Sequence, residues 1–407
     1  MIAGQQITGA WLAAPETRKV MAALEAAKPG CARFVGGCVR NTLMGRTVDD
    51  IDIATQLVPE EAMAALQTAG IRTEPTGIEH GTLTAIVNHQ PFEITSLRRD
   101  VETDGRRAVV AFTTDWNEDA QRRDFRLNAL YADADGTLFD PTGGGLDDAA
   151  SGRVIFIGDA DERLREDYLR ALRFFRFNAW YGAGIDAEGL AACTRQAEGL
   201  RKIAVERIWR EMEKLLRAPE PAQAVEAMQQ SGTLSIILPN LREGSPAAGL
   251  STLCAMEKEQ GLQIDSYQRL MAIIPRTPSA AQAIADHLRL PNKGRDRLLS
   301  WASPGLSAAA TSTEQGVRRC LYLHGAEAVR DFAISETRPE LLALLATAGA
   351  PGSFPLGGKD LLEMGMQPGP AVGELIAQLE AWWIEDDFAA DRKQLLTEAQ
   401  RRLTAIP

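Results

Sequence analysis

Short apolar runs bounded by turn residues alternate with helical periods over the first third of the chain, and helical periods alone fill the rest. CARFVGG, DDIDIAT, GTLTAIVN, PFEITSLR and NALYAD are rich in Val, Ile, Thr and aromatics and are bounded by Gly, Asn and Pro, which predicts strands between Arg33 and Phe139. VRNTLMG and PEEAMAALQTAG predict helices among them, each ending at a glycine suited to the position after a C-cap. From Asp161 onward apolar residues recur at helical spacing, as in LREDYLRALRFFRF and VERIWREMEKLL. ILPNLREGSP, IIPRTPS, SPGLSAAATS and AGAPGSFPLGG are Pro/Gly/Ser-rich breaks between helical segments. No fixed-period repeat stands out. The expected fold is an α/β head at the N-terminus followed by an all-α remainder.

Composition narrows the class. At 407 residues the chain suggests about two to four domains. No window approaches the roughly 18 apolar residues of a membrane span, and MIAGQQITGAWLAA has no basic region ahead of a long apolar core, so the expected location is the cytoplasm. Cys31, Cys38, Cys193, Cys254 and Cys320 are scattered, odd in number and never in a CxxC pair, which reads as buried thiols rather than a disulfide framework or zinc site. A net charge of −11 argues against a protein that coats nucleic acid indiscriminately. Between Asp161 and Arg217, however, 12 Lys/Arg stand against 10 Asp/Glu, so a focused RNA or phosphate contact fits there.

The candidate chemistry begins at GGCVRNTLMGRTVDDIDIAT. On a strand, Asp50 and Asp52 would share a face with Cα atoms about 6.5–7 Å apart, and Ile51 and Ile53 would face a core. Two converging carboxylates need a cation, and oxygen-only ligands suit Mg²⁺. An isolated DxD is more often a solvated strand face. Here Gly36 and Gly37 follow the apolar run ARFV and precede a helix, an arrangement that lets backbone N–H groups approach phosphate. Glu93 in PFEITSLR either faces the same site from a neighbouring strand or is an exposed strand residue.

EDAQRRDFRLNAL offers Arg122, Arg123, Asp124 and Asn128, which read either as a solvated charge run or as donors for triphosphate and ribose. In EDYLR, Glu166 and Arg170 are spaced i,i+4 and Asp167 and Arg170 i,i+3, with Arg173 a turn further on. The plain reading is a helix salt bridge. The sharper one has Asp167 accepting from an exocyclic amine while Arg170 donates to ring or carbonyl acceptors, so that the pair reads a Watson–Crick edge. His80, His89, His287 and His324 lie outside all these stretches.

Taken together in order and spacing, FVGGCVRNTLMGRTVDDIDIAT, FEITSLRRD, RRDFRLNAL, DPTGGGLDD, EDYLRALRFFRF and ERIWREMEKLL resemble the bacterial class II tRNA nucleotidyltransferase/poly(A) polymerase family. The later PLGGKDLLEMGMQPGPAVGELIAQLEAWW resembles the C-terminal region of its CCA-adding members. The resemblance implies a catalytic head over residues 1–150, with a mixed or antiparallel sheet and helices. It further implies a helical neck over 151–217, a helical body over 218–300 and a tRNA-binding helical tail over 301–407.

It also implies roles. Asp50 and Asp52 would bind the catalytic Mg²⁺, with Glu93 a third carboxylate and Gly36, Gly37 and Arg40 near the triphosphate. Arg123, Asp124 and Asn128 would recognise ribose. Glu166, Asp167, Arg170 and Arg173 would act as the protein template for CTP and ATP. Asn41 departs from the aspartate that many relatives carry after the arginine. The expected activity is CCA addition to tRNA, with poly(A) synthesis or partial CC- or A-addition as the alternative within the family. A non-catalytic RNA-binding relative is the alternative outside it.

Overall fold

Residues 5–103 and 108–404 are described by a computed structural model and fall into two compact units, Met1–Pro239 and Asn240–Pro407. The first unit opens with helices α1 (Ala10–Ala13) and α2 (Pro15–Ala27). Strand β1 (Ala32–Val35), helix α3 (Gly37–Leu43), strand β2 (Asp52–Thr55) and helix α4 (Pro59–Thr68) follow. Next come β3 (Arg72–Gly77), β4 (Thr82–Val87) and β5 (Gln90–Ser96), then a separate hairpin of β6 (Arg98–Thr103) and β7 (Ala108–Phe112). Helix α5 (Trp116–Gln121), a 3₁₀ turn at Arg126–Asn128, and the short strands β8 (Tyr131–Ala132) and β9 (Leu138–Phe139) complete the sheet region.

The seven-stranded sheet has the order β3-β4-β5-β2-β1-β8-β9 and is mixed, because β2 and β5 run parallel while the other pairs are antiparallel. The expected α+β head is therefore present. Period-2 patterning sets its faces: on β4, Leu83, Ala85 and Val87 are buried and alternate with half-buried Thr82, Thr84 and Ile86. Helices α2 and α4 pack on each other and on β4, covering that apolar row. Both helices predicted inside the head end as the sequence requires, with Gly45 and Gly70 at φ 64° and 68° just beyond α3 and α4.

Beyond the sheet the unit is helical: α6 (Gly145–Ser151), α7 (Ala160–Glu166), α8 (Leu169–Tyr181), α9 (Ala187–Gln196) and α10 (Val205–Leu216), then further helices at Ala222–Gln230 and Thr233–Ile237. Rings of Phe125, Phe156, Phe174 and Phe177, with centroids 5.0–6.3 Å apart, join α8 to the 3₁₀ turn. The second unit is helical throughout its described residues. One of its cores gathers Leu361, Leu375, Leu379, Trp383 and Leu395. All five cysteines are free; four are buried and Cys254 is half-buried.

Three local expectations need correction. Strand β2 begins at Asp52, so Asp50 lies on the exposed approach to the strand rather than within it, although Ile51 and Ile53 are buried as expected. NALYAD yields only the two-residue β8, and Asn128 sits on the 3₁₀ turn. EDYLR does not lie on one helix: Asp167 is extended at φ −150° and ψ 103°, ending α7, and α8 starts at Leu169. The cause is capping. The Asp167 carboxylate accepts from Leu169 N–H at 3.1 Å, and aspartate favours this use over a place inside a helix.

Candidate active site

Strand β1 turns into α3 through Gly36, whose φ of 69° and ψ of −118° suit glycine alone. Its N–H donates to the Leu130 carbonyl at 3.2 Å, so Gly36 shapes the turn and ties it to the segment before β8. A Cβ on Gly36 would lie 3.7 Å from the Asn128 carbonyl and 3.9 Å from Arg123 Nη1, and one on Gly37 would lie 3.9 Å from Arg40 Nη2. The glycine pair is thus where Arg40, Arg123 and Asn128 converge.

Asp52 opens β2 and is paired in register with Glu93 on the parallel neighbour β5, so the third carboxylate does stand beside the first. Asp52 is half-buried, whereas Asp50 and Glu93 are exposed. Burial, then the charge of Glu93, pushes the Asp52 carboxyl up to about 6; Asp50 adds to the push, and Arg123 and Arg40 oppose it. An oxygen-only set whose members repel one another has the chemistry that a hard divalent cation would stabilise, although among the described residues no three His, Cys, Asp or Glu side chains come together as a metal cluster.

The arginines are held by protein partners. Arg40 is buried and donates to Asn128 Oδ1 at 2.5 Å, to Asn41 Oδ1 at 2.9 Å and to the Tyr181 hydroxyl at 2.8 Å. Asn41 in turn donates to the Thr47 carbonyl at 2.8 Å. Asn41 therefore links the Arg40 guanidinium to the loop leading to Asp50 without adding a charge of its own. Asp124 is buried with both oxygens engaged: Oδ1 accepts from Asn128 at 3.0 Å and Phe125 N–H at 2.9 Å, and Oδ2 accepts from Nε and Nη2 of Arg173. Burial acts to raise the Asp124 carboxyl, but Arg173 and Asn128 hold it below its ordinary value.

At the break between α7 and α8, Glu166 accepts from Arg163 at 2.5 Å and from Arg170, so the plain i,i+4 pairing is present. Asp167 does not pair with the Arg170 side chain; its Oδ2 accepts from Arg207 on α10 at 2.8 Å. Arg170, Arg173 and Arg176 recur at i,i+3 spacing along α8 and are all half-buried among its apolar side chains. Arg163 donates to the carbonyls of Arg122 and Arg123 at 2.6 and 2.8 Å, fastening the break to the sheet region.

Sequence reading missed Asp119, Tyr131, Arg163 and Arg207. Asp119 is fully buried and receives Arg122, Arg123 and the Tyr131 hydroxyl. Its only signal was the i,i+3 and i,i+4 spacing to two arginines in EDAQRRD.

Residues 32–155 match the family model of the poly A polymerase head domain, and residues 184–244 match the probable RNA and SrmB-binding site of polymerase A. The chain is 34% identical over 396 residues to the CCA-adding enzyme of Limosilactobacillus fermentum, covering 92% of this chain and 94% of that one. It is 32% identical over 390 residues to the mitochondrial CCA tRNA nucleotidyltransferase 1 of Mus musculus, covering 90% and 85%. The Bacillus stearothermophilus CCA-adding enzyme, solved in complex with CTP, matches with a TM-score of 0.77 at 25% identity over 96% of this chain and 97% of that one. Fold and site together define a nucleotidyltransferase. The chain belongs to the family of CCA-adding tRNA nucleotidyltransferases.

Proposed function

We propose that this chain rebuilds the CCA end of tRNA in the cytoplasm, transferring CMP twice and AMP once from CTP and ATP to the 3′-hydroxyl with release of pyrophosphate. The observation that carries the reading is the meeting within one unit of the Asp52–Glu93 pair, the Gly36 turn with Arg123 beside it, and the arginine-rich break between α7 and α8. In this reading the head spans 1–150, the neck 151–217, the body 218–300 and the tRNA-holding tail 301–407.

Asp50 and Asp52 hold Mg²⁺ and Glu93 supports them. When bound, Mg²⁺ supplies activation of the attacking hydroxyl and stabilisation of the pyrophosphate charge. The family resemblance gives Arg123 to the ribose and Arg40 to the triphosphate, but Arg123 Nη1 lies beside the Gly36 turn and Arg40 is bonded to Asn128. In this reading, therefore, Arg123 and the Gly36–Gly37 turn receive the triphosphate and Arg40 positions Asn128 under it. Asp124 and Asn128 face the sugar. The nucleotide is chosen by the neck. C and A both present an exocyclic amine beside an unprotonated ring nitrogen, which suits an acceptor at Asp167 next to a donor at Arg170; U and G present a carbonyl beside an N–H and leave both side chains unpaired.

The test is the product formed on a tRNA lacking its 3′ end, with all four nucleoside triphosphates and MgCl₂. The reading expects a product longer by three nucleotides ending in CCA, and loss of incorporation in Asp50→Ala and Asp52→Ala with tRNA binding retained. Long adenosine tails would establish poly(A) synthesis, and a product stopping at CC, or made only from ATP, a partial enzyme. No incorporation by the unaltered protein would leave an RNA-binding relative.

A further inference from the structure

We propose that Asp119, acting with Tyr131, is the positioning residue that aims Arg123 at the bound nucleotide; the inference rests on the nucleotidyltransferase reading above. An ionised carboxylate at zero exposure is costly to bury, by several kcal/mol, unless its oxygens are filled by good partners. Those of Asp119 are filled. Oδ1 accepts from Arg122 Nε at 2.8 Å, and Oδ2 accepts from Arg123 Nη2 at 3.0 Å, Arg123 Nε at 3.2 Å and the Tyr131 hydroxyl at 2.7 Å. The Tyr131 oxygen also accepts from Arg123 Nε at 3.2 Å, and its ring is fixed edge-on against Trp116 at 5.4 Å.

Two nitrogens of the Arg123 guanidinium are thereby tied to rigid, buried partners. The third, Nη1, takes part in none of these bonds and is the atom nearest the side-chain space of Gly36 apart from the Asn128 carbonyl. It therefore points to the turn at the end of β1, the strand paired with β2 where Asp52 lies. A donor fixed in this way loses little freedom when an anion arrives, so its hydrogen bond contributes more fully to binding.

The charge count supports the same role. One arginine on one aspartate would form a neutral pair with nothing to offer a triphosphate. Asp119 carries two, Arg122 and Arg123, so the buried cluster keeps a net positive charge while its geometry stays fixed. A carboxylate that served only the packing of α5 would not need the second arginine.

Steady-state kinetics of CTP and ATP incorporation on a tRNA lacking CCA test this with Tyr131→Phe and Asp119→Asn, at temperatures well below each variant's Tm. Tyr131→Phe keeps the ring and its packing, and should raise KM for CTP and ATP about 3- to 10-fold, as expected for one lost hydrogen bond, with kcat and KM for tRNA little changed. Asp119→Asn should raise nucleotide KM about 10- to 100-fold, the scale of charge-assisted bonds. Net charge alone predicts the opposite, because Asn leaves the cluster more positive and would tighten triphosphate binding. Unchanged nucleotide KM in Tyr131→Phe, or a lowered KM in Asp119→Asn, overturns the inference while leaving the enzyme reading intact. If Asp119→Asn does not fold, Tyr131→Phe decides alone. Failure of the unaltered protein to incorporate either CTP or ATP would sink the enzyme reading itself.

Discussion

Asp167 in the break between α7 and α8 and Arg207 on α10, 40 residues apart, are joined by a 2.8 Å ion pair that fixes one oxygen of Asp167, while the other caps α8 at Leu169. The residue proposed to read the amino group of C or A is thus held at both oxygens before any nucleotide arrives. Its carboxylate is oriented by the neck itself.

Replacing Arg207 by Ala should therefore loosen nucleotide choice more than it loosens the fold. The pair is about a third to two-fifths exposed, so its loss should cost less than about 1 kcal/mol of stability. Discrimination between CTP and UTP should fall by about tenfold or more, since the acceptor is no longer fixed. Misincorporation assays beside a thermal melt check both. Wild-type discrimination would separate Arg207 from the template.

Arg173 should behave in the opposite way. It donates twice to the buried Asp124, and Arg173→Ala would leave that carboxylate with only Asn128 and one backbone N–H. A loss of about 2–4 kcal/mol in urea unfolding is expected. Arg173→Lys should recover only part of it, because an ammonium cannot reproduce the two-pronged contact.

These contrasts show what the chain made legible. The β4 alternation, the burial of Ile51 and Ile53 and the glycines ending α3 and α4 all follow from periodicities of two and 3.6 and from local turn chemistry, whereas the place of Glu93 beside Asp52 stays open in the sequence because it depends on β5 pairing with β2. The α7–α8 break does not follow from them either, since EDYLR satisfies helical spacing and only the cap at Leu169 and the distant Arg207 decide against a continuous helix. Asp119 was hidden for a similar reason. In EDAQRRD it reads as one more solvated charge, and its burial depends on Tyr131, which arrives from another element of the sheet region. Pairings set by tertiary neighbours leave no local period to detect.

Asp119 also makes an acid-stability prediction. Burial alone would raise its carboxyl, but Arg123, Arg122 and the Tyr131 hydroxyl outweigh burial and hold it at about 2, against 3.8 ordinarily. A depressed folded-state value means the contribution is present above pH 4 and is lost as pH falls towards 2. The unaltered protein should exceed Asp119→Asn in stability by about 2 kcal/mol at pH 7, and the gap should shrink over that window. Urea titrations at several pH values read it directly. A gap that did not change between pH 5 and 2.5 would remove Asp119 ionisation as its cause.

The glycine pair offers the sharpest separation of folding from chemistry. Gly36 has room for a methyl group, with nothing nearer than 3.7 Å, yet its φ of 69° and ψ of −118° strain any other residue. Gly36→Ala should thus cost about 1–3 kcal/mol through the backbone alone and shift the whole turn. Gly37 is the first residue of α3, has φ outside the left-handed region and meets only the end of Arg40 at 3.9 Å. Gly37→Ala should leave stability unchanged or raise it by up to about 1 kcal/mol, because alanine favours the helix. If the triphosphate approaches the backbone here, the added methyl still stands in its way, so nucleotide KM should rise in a protein at least as stable as the original. A stable Gly37→Ala with unaltered KM would move the triphosphate away from the glycine pair and leave Gly36 as a folding residue only.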